Sequence, residues 1–494
     1  MLPRLDAGAA DDEVETDDEG SDEDPHDSFG SAAWKRRVGL GEHGRHPANL
    51  PDPDRSCVDS GGGPLPIATQ ERERGGTSLP YGAIHAGGIL ARTITLVRHA
   101  ETVSNISGTW QGQTDSPLSE RGRLQIERLR DRMDGHGAGL LVTSDLGRTR
   151  TTGGVLGAGE SLSEWREFDL GKWDGMRPED ILDRYPEVDR VRFGSGDFQP
   201  DGGERFSDFR RRIRSAFDTL AARMGDDDHA IVVTHGGVIQ TIIGMLVGVD
   251  DQSTILVPSN ASLTTVRLNG DHVQVAVFND DIHLDGGVVR PPGTRLKLVR
   301  HAQTEANREG RWWGRGETPL TEKGRRQAET LALAAAPFDS IVSSPASRAL
   351  ETAAPVAMRQ GLDIAVVDDL AEFYFGEWEG LTVDEIRSAD PDGFRRILEE
   401  GFDEPRGVTG ETFAATGERI ATATADLAEN GSGTIGVFTH GGATRAYVAG
   451  LLGIPFANRE VLPVQRNTAH TEIISGDGGP RLSSYNVASN VEKP

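Results

Sequence analysis

Short apolar, β-branched runs alternate along this chain with stretches whose apolar residues recur every three or four positions. The runs TITLV (Thr93–Val97) and IVVT (Ile231–Thr234) are typical of buried strands. The apolar positions within residues 126–133 and 206–224 have the spacing of amphipathic helices. This alternation predicts an α/β fold in which helices cover a mostly parallel sheet, giving a three-layer α/β/α arrangement.

The pattern occurs twice. The segment TLVRHAETVSN, residues 95–105, returns as KLVRHAQTEAN at residues 297–307. Three further pairs follow in the same order, namely SDLGRTRTT and SPASRALET, REFDLGKWDG and AEFYFGEWEG, and VVTHGG and VFTHGG. The offset stays near two hundred residues, which predicts two tandem domains rather than a short repeat. We place a first copy at residues 92–285 and a second copy at 293–490, joined by a Gly- and Pro-rich linker.

The first 90 residues differ from both copies. From Asp11 to Asp27 the chain has eleven acidic residues and no Lys or Arg, and no apolar periodicity follows. Such a segment cannot bury enough apolar surface to offset the entropy lost on ordering. We therefore expect a disordered acidic tail over residues 1–90, with a partner-binding arm as the alternative.

The charge and cysteine content narrow the possible partners. A formal net charge of −26 disfavours nucleic acids and anionic membranes as partners. Because the same charge repels phosphate, any phosphate-binding site must be a local concentration of arginine. The longest uncharged run, Ala230–Val249, contains polar residues and fits a buried strand and helix better than a membrane span. The single cysteine, Cys57, permits no intramolecular disulfide and fits a cytoplasmic protein.

The candidate chemistry of the first copy lies where strands end. Arg98 and His99 end one predicted strand and His235 ends another, while Arg148 and Glu167 lie in segments between them. In α/β folds the site lies beyond the carboxyl ends of the strands. Guanidinium groups match phosphate oxygens, a neutral imidazole can attack phosphorus, and a carboxyl group can protonate the leaving alkoxide. This set therefore predicts phosphoryl chemistry.

Two other interpretations stay open on the residues alone. A single histidine at a strand end is usually structural. Two histidines and one glutamate could also bind a metal ion, although no His-x-x-x-His or cysteine cluster appears and Arg98 beside His99 would repel a cation. We expect neither a metal nor another cofactor.

The paired motifs resemble the histidine phosphatase superfamily, also called phosphoglycerate mutase-like, and the resemblance covers most of both copies. It implies that His99 and His301 are phosphorylated nucleophiles and that Glu167 and Glu372 are proton donors. It also implies a phosphate-binding set in each copy. In the first copy this set is Arg98, Asn105, Arg148 and His235, and in the second it is Arg300, Asn307, Arg348 and His440.

The details of the motifs favour the phosphatase branch over the mutases. Mutases carry Glu-Arg-x-Tyr-Gly and a long insertion before the second histidine, whereas here the sequence after Glu167 continues to Gly-x-Trp-Asp-Gly without such an insertion. Asp145 and Asp174 of the first copy depart from the motif residues expected at these positions and could change the shape of its pocket.

The expected function is hydrolysis of small phosphorylated metabolites. The alternatives are mutase-type phosphoryl transfer and a non-catalytic phospho-ligand binding role for one copy. The oligomeric state is not predicted beyond a possible intramolecular pseudo-dimer.

Overall fold

Strands and helices alternate through both copies in this computed structural model. The structure describes residues 91–185, 197–249, 252–270, 272–284 and 288–488. The first copy contains β1 (Arg92–Arg98), α1 (Val103–Ser107), α2 (Glu120–Met133), β2 (Leu140–Ser144), α3 (Gly147–Gly153), β3 (Glu160–Leu162), α4 (Pro178–Arg184), α5 (Phe206–Arg223), β4 (His229–Thr234), α6 (Gly236–Val247), β5 (Leu263–Asn269) and β6 (His272–Asp280). The second copy contains β7 (Thr294–Arg300), α7 (Glu305–Glu309), α8 (Glu322–Ala334), β8 (Ser340–Ser343), α9 (Ser347–Gln360), β9 (Ile364–Val366), α10 (Val383–Ala389), α11 (Pro391–Phe394), α12 (Phe413–Asn430), β10 (Thr434–Thr439), α13 (Gly441–Leu452), β11 (His470–Gly476) and β12 (Gly479–Val487).

The strands of the described residues form a single sheet that runs through both copies. Its twelve strands have the order β3-β2-β4-β1-β5-β6-β12-β11-β7-β10-β8-β9. Within each copy four strands pair in parallel, and an antiparallel hairpin completes the set. The predicted α/β fold with mostly parallel sheets is confirmed, whereas the two central hairpins were not predicted. The expected tail at residues 1–90 lies outside the described residues.

Alternating side chains of β1 belong to the two faces of the sheet, as the strand period of two requires. Leu96 belongs to the same buried cluster as Phe209 of α5 and Ile242 of α6. Its neighbour Val97 belongs instead to a cluster with Leu129 of α2. Helices therefore cover both faces of the sheet, which gives the predicted three layers.

The uncharged run at residues 230–249 does not form one long helix. Its first residues complete β4 and the following ones form α6, which contains only twelve residues. Within the described ranges, no helix is both long and apolar enough to cross a lipid bilayer.

Parallel pairing of neighbouring strands brings the two histidine motifs of each copy together. The backbone N–H of His99 donates to the carbonyl oxygen of Thr234 at 2.9 Å, and the next residue, His235, begins the turn into α6. His301 is held against the end of β10 in the same way, at 3.0 Å, beside His440. Each copy therefore places two histidines side by side at the carboxyl edge of its sheet.

The two copies meet where β6 pairs with β12. Phe278 lies opposite Tyr485 in the antiparallel register, and both side chains are buried. The backbone N–H of Leu256 donates to the carbonyl oxygen of Leu482 at 2.9 Å and adds a second backbone link. We call this contact region the seam. The boundaries that we assigned to the two copies stay predictions.

Candidate active sites

His99 and His301 lie directly after β1 and β7, and both imidazoles are buried. Nδ1 of each ring lies 2.8 Å from the carbonyl oxygen of the next residue, Ala100 or Ala302. Because a carbonyl only accepts, this contact assigns the proton to Nδ1 and leaves a lone pair on Nε2. Burial, and then the positive charge of neighbouring arginines, holds the pKa of both imidazoles well below 6.5. Each ring is therefore neutral at pH 7, with a nucleophilic nitrogen.

The second histidine of each copy lies beside the first, with ring centroids 5.3 Å apart in both copies. Nε2 of His235 contacts Oγ of Ser144 at 2.9 Å, and Nε2 of His440 contacts Oγ of Ser344 at 2.8 Å. Nδ1 of both rings is buried and has no hydrogen-bond partner among the described residues. Burial also holds the pKa of both rings well below 6.5. Each copy thus has a second neutral imidazole, whose Nδ1 can donate to an anion in the tautomer that carries the proton there.

Backbone carbonyl oxygens hold the two arginines of the first copy in place. Arg98 donates through Nη1 to Pro258 at 2.6 Å. Arg148, whose side chain is fully buried, donates to Gly112 at 2.6 Å and to Thr114 at 2.8 Å. Within the described part of the chain, Nε of both arginines has no partner. Burial lowers the pKa of Arg98 to about 10, so it remains cationic at pH 7.

The second copy repeats this arrangement. Arg300 donates through Nη1 to the carbonyl oxygen of Gln465 at 2.5 Å. Arg348 donates to Gly314 at 2.5 Å and to Gly316 at 2.9 Å. Two buried guanidinium groups therefore lie close enough to the neutral histidines to lower their pKa, as in the first copy.

Glu167 and Glu372 each accept from the backbone N–H of the next residue and from the beginning of α6 or α13. Glu167 accepts from Phe168 and from Gly237, each at 2.9 Å. Glu372 accepts from the two equivalent N–H groups and additionally from Ala443 at 2.7 Å. Burial raises the pKa of both carboxyl groups, although these N–H donors and the arginines oppose it. Each carboxyl group therefore keeps its proton to a higher pH than an exposed glutamate.

Asn105 and Asn307 lie in the short helices α1 and α7, which follow β1 and β7, and a second asparagine holds each of them. Nδ2 of Asn260 donates to Oδ1 of Asn105 at 3.1 Å and to the carbonyl oxygen of His99 at 3.0 Å. Asn467 makes the same two contacts in the second copy, at 3.1 and 2.9 Å. The structure thus brings all the predicted site residues of each copy together at the edge of its sheet.

The loop that carries each glutamate is tied down by an arginine from the neighbouring long helix. Arg212 of α5 donates to the carbonyl oxygen of Arg166 at 2.9 Å and pairs with Glu204 at 2.7 Å. Arg419 of α12 makes the corresponding contacts and pairs with Glu411 at 3.0 Å. These ties fix the loop relative to the helix behind it.

Sequence reasoning missed three supporting residues in each copy. Each occurs at corresponding positions of the two copies, so a residue-by-residue comparison of the copies could have found them. They are Ser144, Asn260 and Arg212 in the first copy and Ser344, Asn467 and Arg419 in the second.

Asp145 and Asp174, the two residues of the first copy that depart from the expected motifs, each bind other parts of the chain. Asp145 forms a two-point ion pair with Arg166, with both contacts at 2.6 Å. Asp174 accepts from two backbone N–H groups of the loop that holds Arg148, at 3.1 and 3.0 Å. Glu379 does the same for the second copy, at 2.7 and 3.1 Å. Asp174 and Glu379 therefore have the same structural role, which is to hold this loop through its backbone N–H groups.

His301 and Glu372 of the second copy line an open cavity of about 1550 Å³. Arg300 and Asn307 line the same cavity, so a ligand of metabolite size has room beside the reactive groups. The described residues include no group of three or more His, Cys, Asp or Glu side chains that could hold a metal ion.

Three relatives with established names match parts of the chain. A bifunctional protein of Mycobacterium tuberculosis is 44% identical over 123 residues, which is 24% of this chain and 33% of that protein. Phosphoserine phosphatase 1 of Hydrogenobacter thermophilus is 34% identical over 166 residues, 32% of this chain and 77% of the relative. Glucosyl-3-phosphoglycerate phosphatase of Mycolicibacterium vanbaalenii is 31% identical over 218 residues, 40% of this chain and 96% of the relative. The chain thus spans only about a third of the mycobacterial bifunctional protein but nearly all of the last phosphatase.

A family model of the histidine phosphatase superfamily (branch 1) matches twice, at residues 94–281 and 296–488. Each match contains one complete set of the residues described above. The matches together cover most of the chain and confirm the tandem duplication. This protein therefore belongs to the histidine phosphatase superfamily and carries that family's domain in two copies.

Proposed function

We propose that both copies are phosphomonoesterases that act through a phosphohistidine intermediate, with His99 and His301 as the nucleophiles. The observation that carries the proposal is the protonation pattern of these two rings. Each has Nδ1–H bound to a carbonyl oxygen and a pKa held well below 6.5 beside buried arginines. Such a ring offers its Nε2 lone pair to phosphorus at neutral pH.

In the first step Nε2 of His99 attacks the phosphorus atom and the ester P–O bond breaks. The departing alkoxide takes the proton of Glu167, whose raised pKa favours the protonated form. Arg98 and Arg148 stabilise the charge on the phosphoryl oxygens as the bond breaks. Nδ1–H of His235 donates to one of these oxygens. His301, Glu372 and the matching residues do the same in the second copy.

In the second step a water molecule attacks the phosphohistidine. Glu167, now ionised, takes a proton from that water as the P–N bond breaks, and inorganic phosphate leaves. The ring returns to its neutral form and the carboxyl group to its protonated form, so no external oxidant, reductant or second substrate is needed. We propose that neither step requires a metal ion, because the arginines supply the positive charge.

The relatives support small phosphorylated metabolites as substrates. Phosphoserine phosphatase and glucosyl-3-phosphoglycerate phosphatase act, by their names, on small organic phosphates. That this protein works in the cytoplasm and binds no nucleic acid stays a prediction, which its single cysteine and its net charge of −26 support.

The direct test is to trap the intermediate in the full-length protein. After a brief reaction with a labelled phosphate ester and an acid-free quench, we expect label on both His99 and His301. His99→Ala should remove the label from the first copy only and His301→Ala from the second copy only. The double variant should lose activity by at least about a thousandfold. His272→Ala, an exposed histidine on β6, is the matched control and should keep full activity.

Other outcomes would select the alternatives. Phosphoryl transfer to a second acceptor hydroxyl faster than to water would indicate a mutase. Failure of one intact copy to take up label, while it still binds phosphate, would make that copy a binding module. Loss of activity in a metal chelator, restored by a divalent cation, would refute the metal-independent mechanism.

A further inference from the structure

The cavity of the second copy has aromatic side chains beside its reactive groups. Among the aromatic residues that line it together with His301 and Glu372 are Trp313, Phe373 and Phe375, which we call the aromatic wall. The rings of Phe373 and Phe375 are nearly parallel, at an interplanar angle of 14°, and their centroids lie 5.6 Å apart. Trp313 is only partly buried. The leaving group of an ester bound at His301 would therefore meet an apolar, aromatic surface.

The aromatic wall is built around the loop that holds Arg348. The carbonyl oxygen of Gly314 accepts from Arg348 at 2.5 Å, and Trp313 directly precedes that glycine. A methyl group on Gly314 would lie 3.0 Å from Cδ2 of Phe375. A methyl group on Gly380 would lie 3.2 Å from Cζ3 of Trp313. The two rings therefore pack against the same short segment that positions an arginine of the predicted phosphate-binding set.

The first copy has a glutamine, Gln111, at the position of the tryptophan. Gln111 directly precedes Gly112, whose carbonyl oxygen accepts from Arg148 at 2.6 Å, so the two positions correspond. Nε2 of Gln111 donates to the carbonyl oxygen of Thr114 at 3.1 Å, and its Oε1 accepts from the hydroxyl group of Thr102 at 3.0 Å. Both ends of this amide are therefore hydrogen-bonded within the protein.

Trp313 lacks such hydrogen bonds. Its Nε1 is buried and has no partner among the residues that the structure describes. A methyl group on Gly316 would lie 2.9 Å from this nitrogen, so the N–H lies against the loop without bonding to it. A buried donor without a partner lowers stability, whereas the glutamine of the first copy is satisfied. The stability of the loop therefore does not explain the tryptophan, and its place in the cavity needs a functional explanation.

Phe375 also has no aromatic counterpart in the first copy. Phe375 follows Glu372 by three residues, as Leu170 follows Glu167. The remaining member of the wall is a phenylalanine in both copies. The two copies therefore share their predicted phosphate-binding residues but differ at two of the three positions of the aromatic wall.

A flat ring fits this wall better than a saturated chain does. Aromatic faces pack against another ring in an offset or edge-to-face geometry and gain energy beyond the burial of area. The cavity of about 1550 Å³ has room for such a ring beside a phosphoryl group. A cationic ligand could also contact aromatic faces, but Arg300 lines the same cavity and would repel it, since a pKa of about 10 keeps Arg300 charged at pH 7.

We infer that the second copy takes phosphomonoesters whose alcohol carries a planar aromatic ring, such as a nucleoside monophosphate, and that Trp313 stacks on this ring with Phe375 beside it. The first copy, with Gln111, takes esters without such a ring. The inference rests on the proposed phosphatase function and adds the class of substrate. Trp313 contacts the ring in the ground state and the transition state alike, so its contribution appears in KM.

The test compares the two copies within the full-length chain. His99→Ala isolates the second copy and His301→Ala isolates the first. Adenosine 5′-monophosphate and ribose 5-phosphate share their leaving oxygen and differ by the flat base. Benzyl phosphate and cyclohexylmethyl phosphate differ by a flat ring in place of a puckered one. We expect the ratio of kcat/KM for the aromatic ester to that for its partner to be higher in the second copy, by at least about tenfold for the first pair and about threefold for the second.

The aromatic wall itself is tested by exchanging residues between the copies. In the His99→Ala chain, Trp313→Gln should lower the ratio for the nucleotide pair by about tenfold, through KM for the aromatic ester. Trp313→Phe, which retains a ring, should keep part of the preference. The reciprocal Gln111→Trp, in the His301→Ala chain, should raise the ratio of the first copy. Phe402→Gln, at an exposed phenylalanine that does not line this cavity, is the control and should change neither ratio.

Equal ratios in the two copies, or a ratio unaffected by Trp313→Gln in a variant whose melting temperature shows that it is folded, would overturn the inference. If Trp313→Gln fails to fold, Trp313→Phe and Gln111→Trp decide it by the same ratios. If no ester is turned over, the proposed function fails instead. Calorimetric binding of adenosine 5′-monophosphate and ribose 5-phosphate to the two single-histidine variants then still decides whether the second copy prefers an aromatic ligand.

Discussion

Asn279 and Asn486 each donate a side-chain hydrogen bond into the other copy. Nδ2 of Asn279 donates to the carbonyl oxygen of Ser483 at 2.7 Å, and Nδ2 of Asn486 donates to that of Ala276 at 2.8 Å. Both asparagines are buried and have a positive φ, of 57° and 56°. Asparagine tolerates this left-handed conformation better than most residues. These two hydrogen bonds link the copies symmetrically across the seam.

We expect Asn279→Asp and Asn486→Asp to destabilise the protein. Aspartate tolerates the same backbone conformation but has no N–H donor, so it leaves a buried carbonyl oxygen without its partner and faces it with a negative charge. The expected cost is about 2 kcal/mol or more for each substitution. Chemical denaturation measures it, with Asn430→Asp at the exposed end of α12 as the matched control. Unchanged stability in both seam variants would show that strand pairing alone holds the seam.

Glu167→Gln should slow esters with poor leaving groups far more than esters with good ones. In the His301→Ala chain, we expect a loss of about 10²–10⁴-fold on an alkyl phosphate, because glutamine cannot protonate the alkoxide. The loss on p-nitrophenyl phosphate should be much smaller. Glu372→Gln in the His99→Ala chain should behave alike. Equal losses on both esters would show that these residues are not the proton donors. Glu164→Gln, at an exposed glutamate three residues before Glu167, is the control.

The pH dependence follows from the same carboxyl groups. Burial raises the pKa of Glu167 above the usual 4.5, so the proton needed by the leaving group is present at acid pH and is lost as pH rises through that value. The pKa of His99 lies well below 6.5, so the neutral nucleophile persists into the acid range. We expect kcat/KM on the alkyl phosphate to decline on the alkaline side. Glu167→Gln should flatten that decline, and an unchanged profile would contradict the assignment.

Ser144 should act on catalysis through His235. If the hydroxyl group donates to Nε2, the ring keeps its proton on Nδ1, where it can bind a phosphoryl oxygen. Ser144→Ala in the His301→Ala chain should lower kcat/KM by about tenfold, which corresponds to one hydrogen bond of this strength. Ser144→Thr, which retains the hydroxyl group, should restore most of the activity. Equal losses in both variants would indicate that Ser144 acts through packing and not by setting the position of the proton on His235.

Glu472, on β11 beside the seam, is a buried carboxylate among basic residues. Arg295 pairs with it at 2.7 Å, and Arg290 of the linker pairs with it at 3.0 Å and with Asp281 of the first copy at 2.7 Å. Burial alone would raise its pKa, but the positive charges of Arg290, Lys297 and Arg295 lower the pKa of Glu472 to about 2. The linker is thus tied to both copies.

Glu472→Gln should leave these basic groups buried without their carboxylate and cost about 3–5 kcal/mol of stability. Because the folded-state pKa is depressed, the stabilisation is fully present above the unfolded value of about 4.5 and is lost as pH falls toward about 2. The difference in melting temperature from the unchanged protein should therefore be constant near neutral pH and shrink below pH 4.5. Glu429→Gln, on exposed α12, is the control. A difference that persisted at the lowest pH would refute the electrostatic explanation.

Much of this protein could be read from its sequence. The duplication is visible because four motifs recur in one order at a nearly constant offset. The helices and strands could be predicted from the spacing of apolar residues, because burial of one face of a helix or of both faces of a parallel strand determines which positions are apolar. The candidate residues His99 and Glu167, with their counterparts, could be found because reactive groups gather where parallel strands end.

The tertiary structure alone decided how the copies join and which distant residues share a cavity. Backbone hydrogen bonds between β6 and β12 are available to many sequences, so no local pattern marks these strands as partners. Arg406, Arg445 and Arg459 come from three separate segments of the chain, and their sequence positions do not show that they share one cavity with His301. Local sequence determines the type of each element because the forces that favour a helix or a strand act between near neighbours, whereas the seam and the cavity of the second copy depend on contacts that form only when the whole chain has folded.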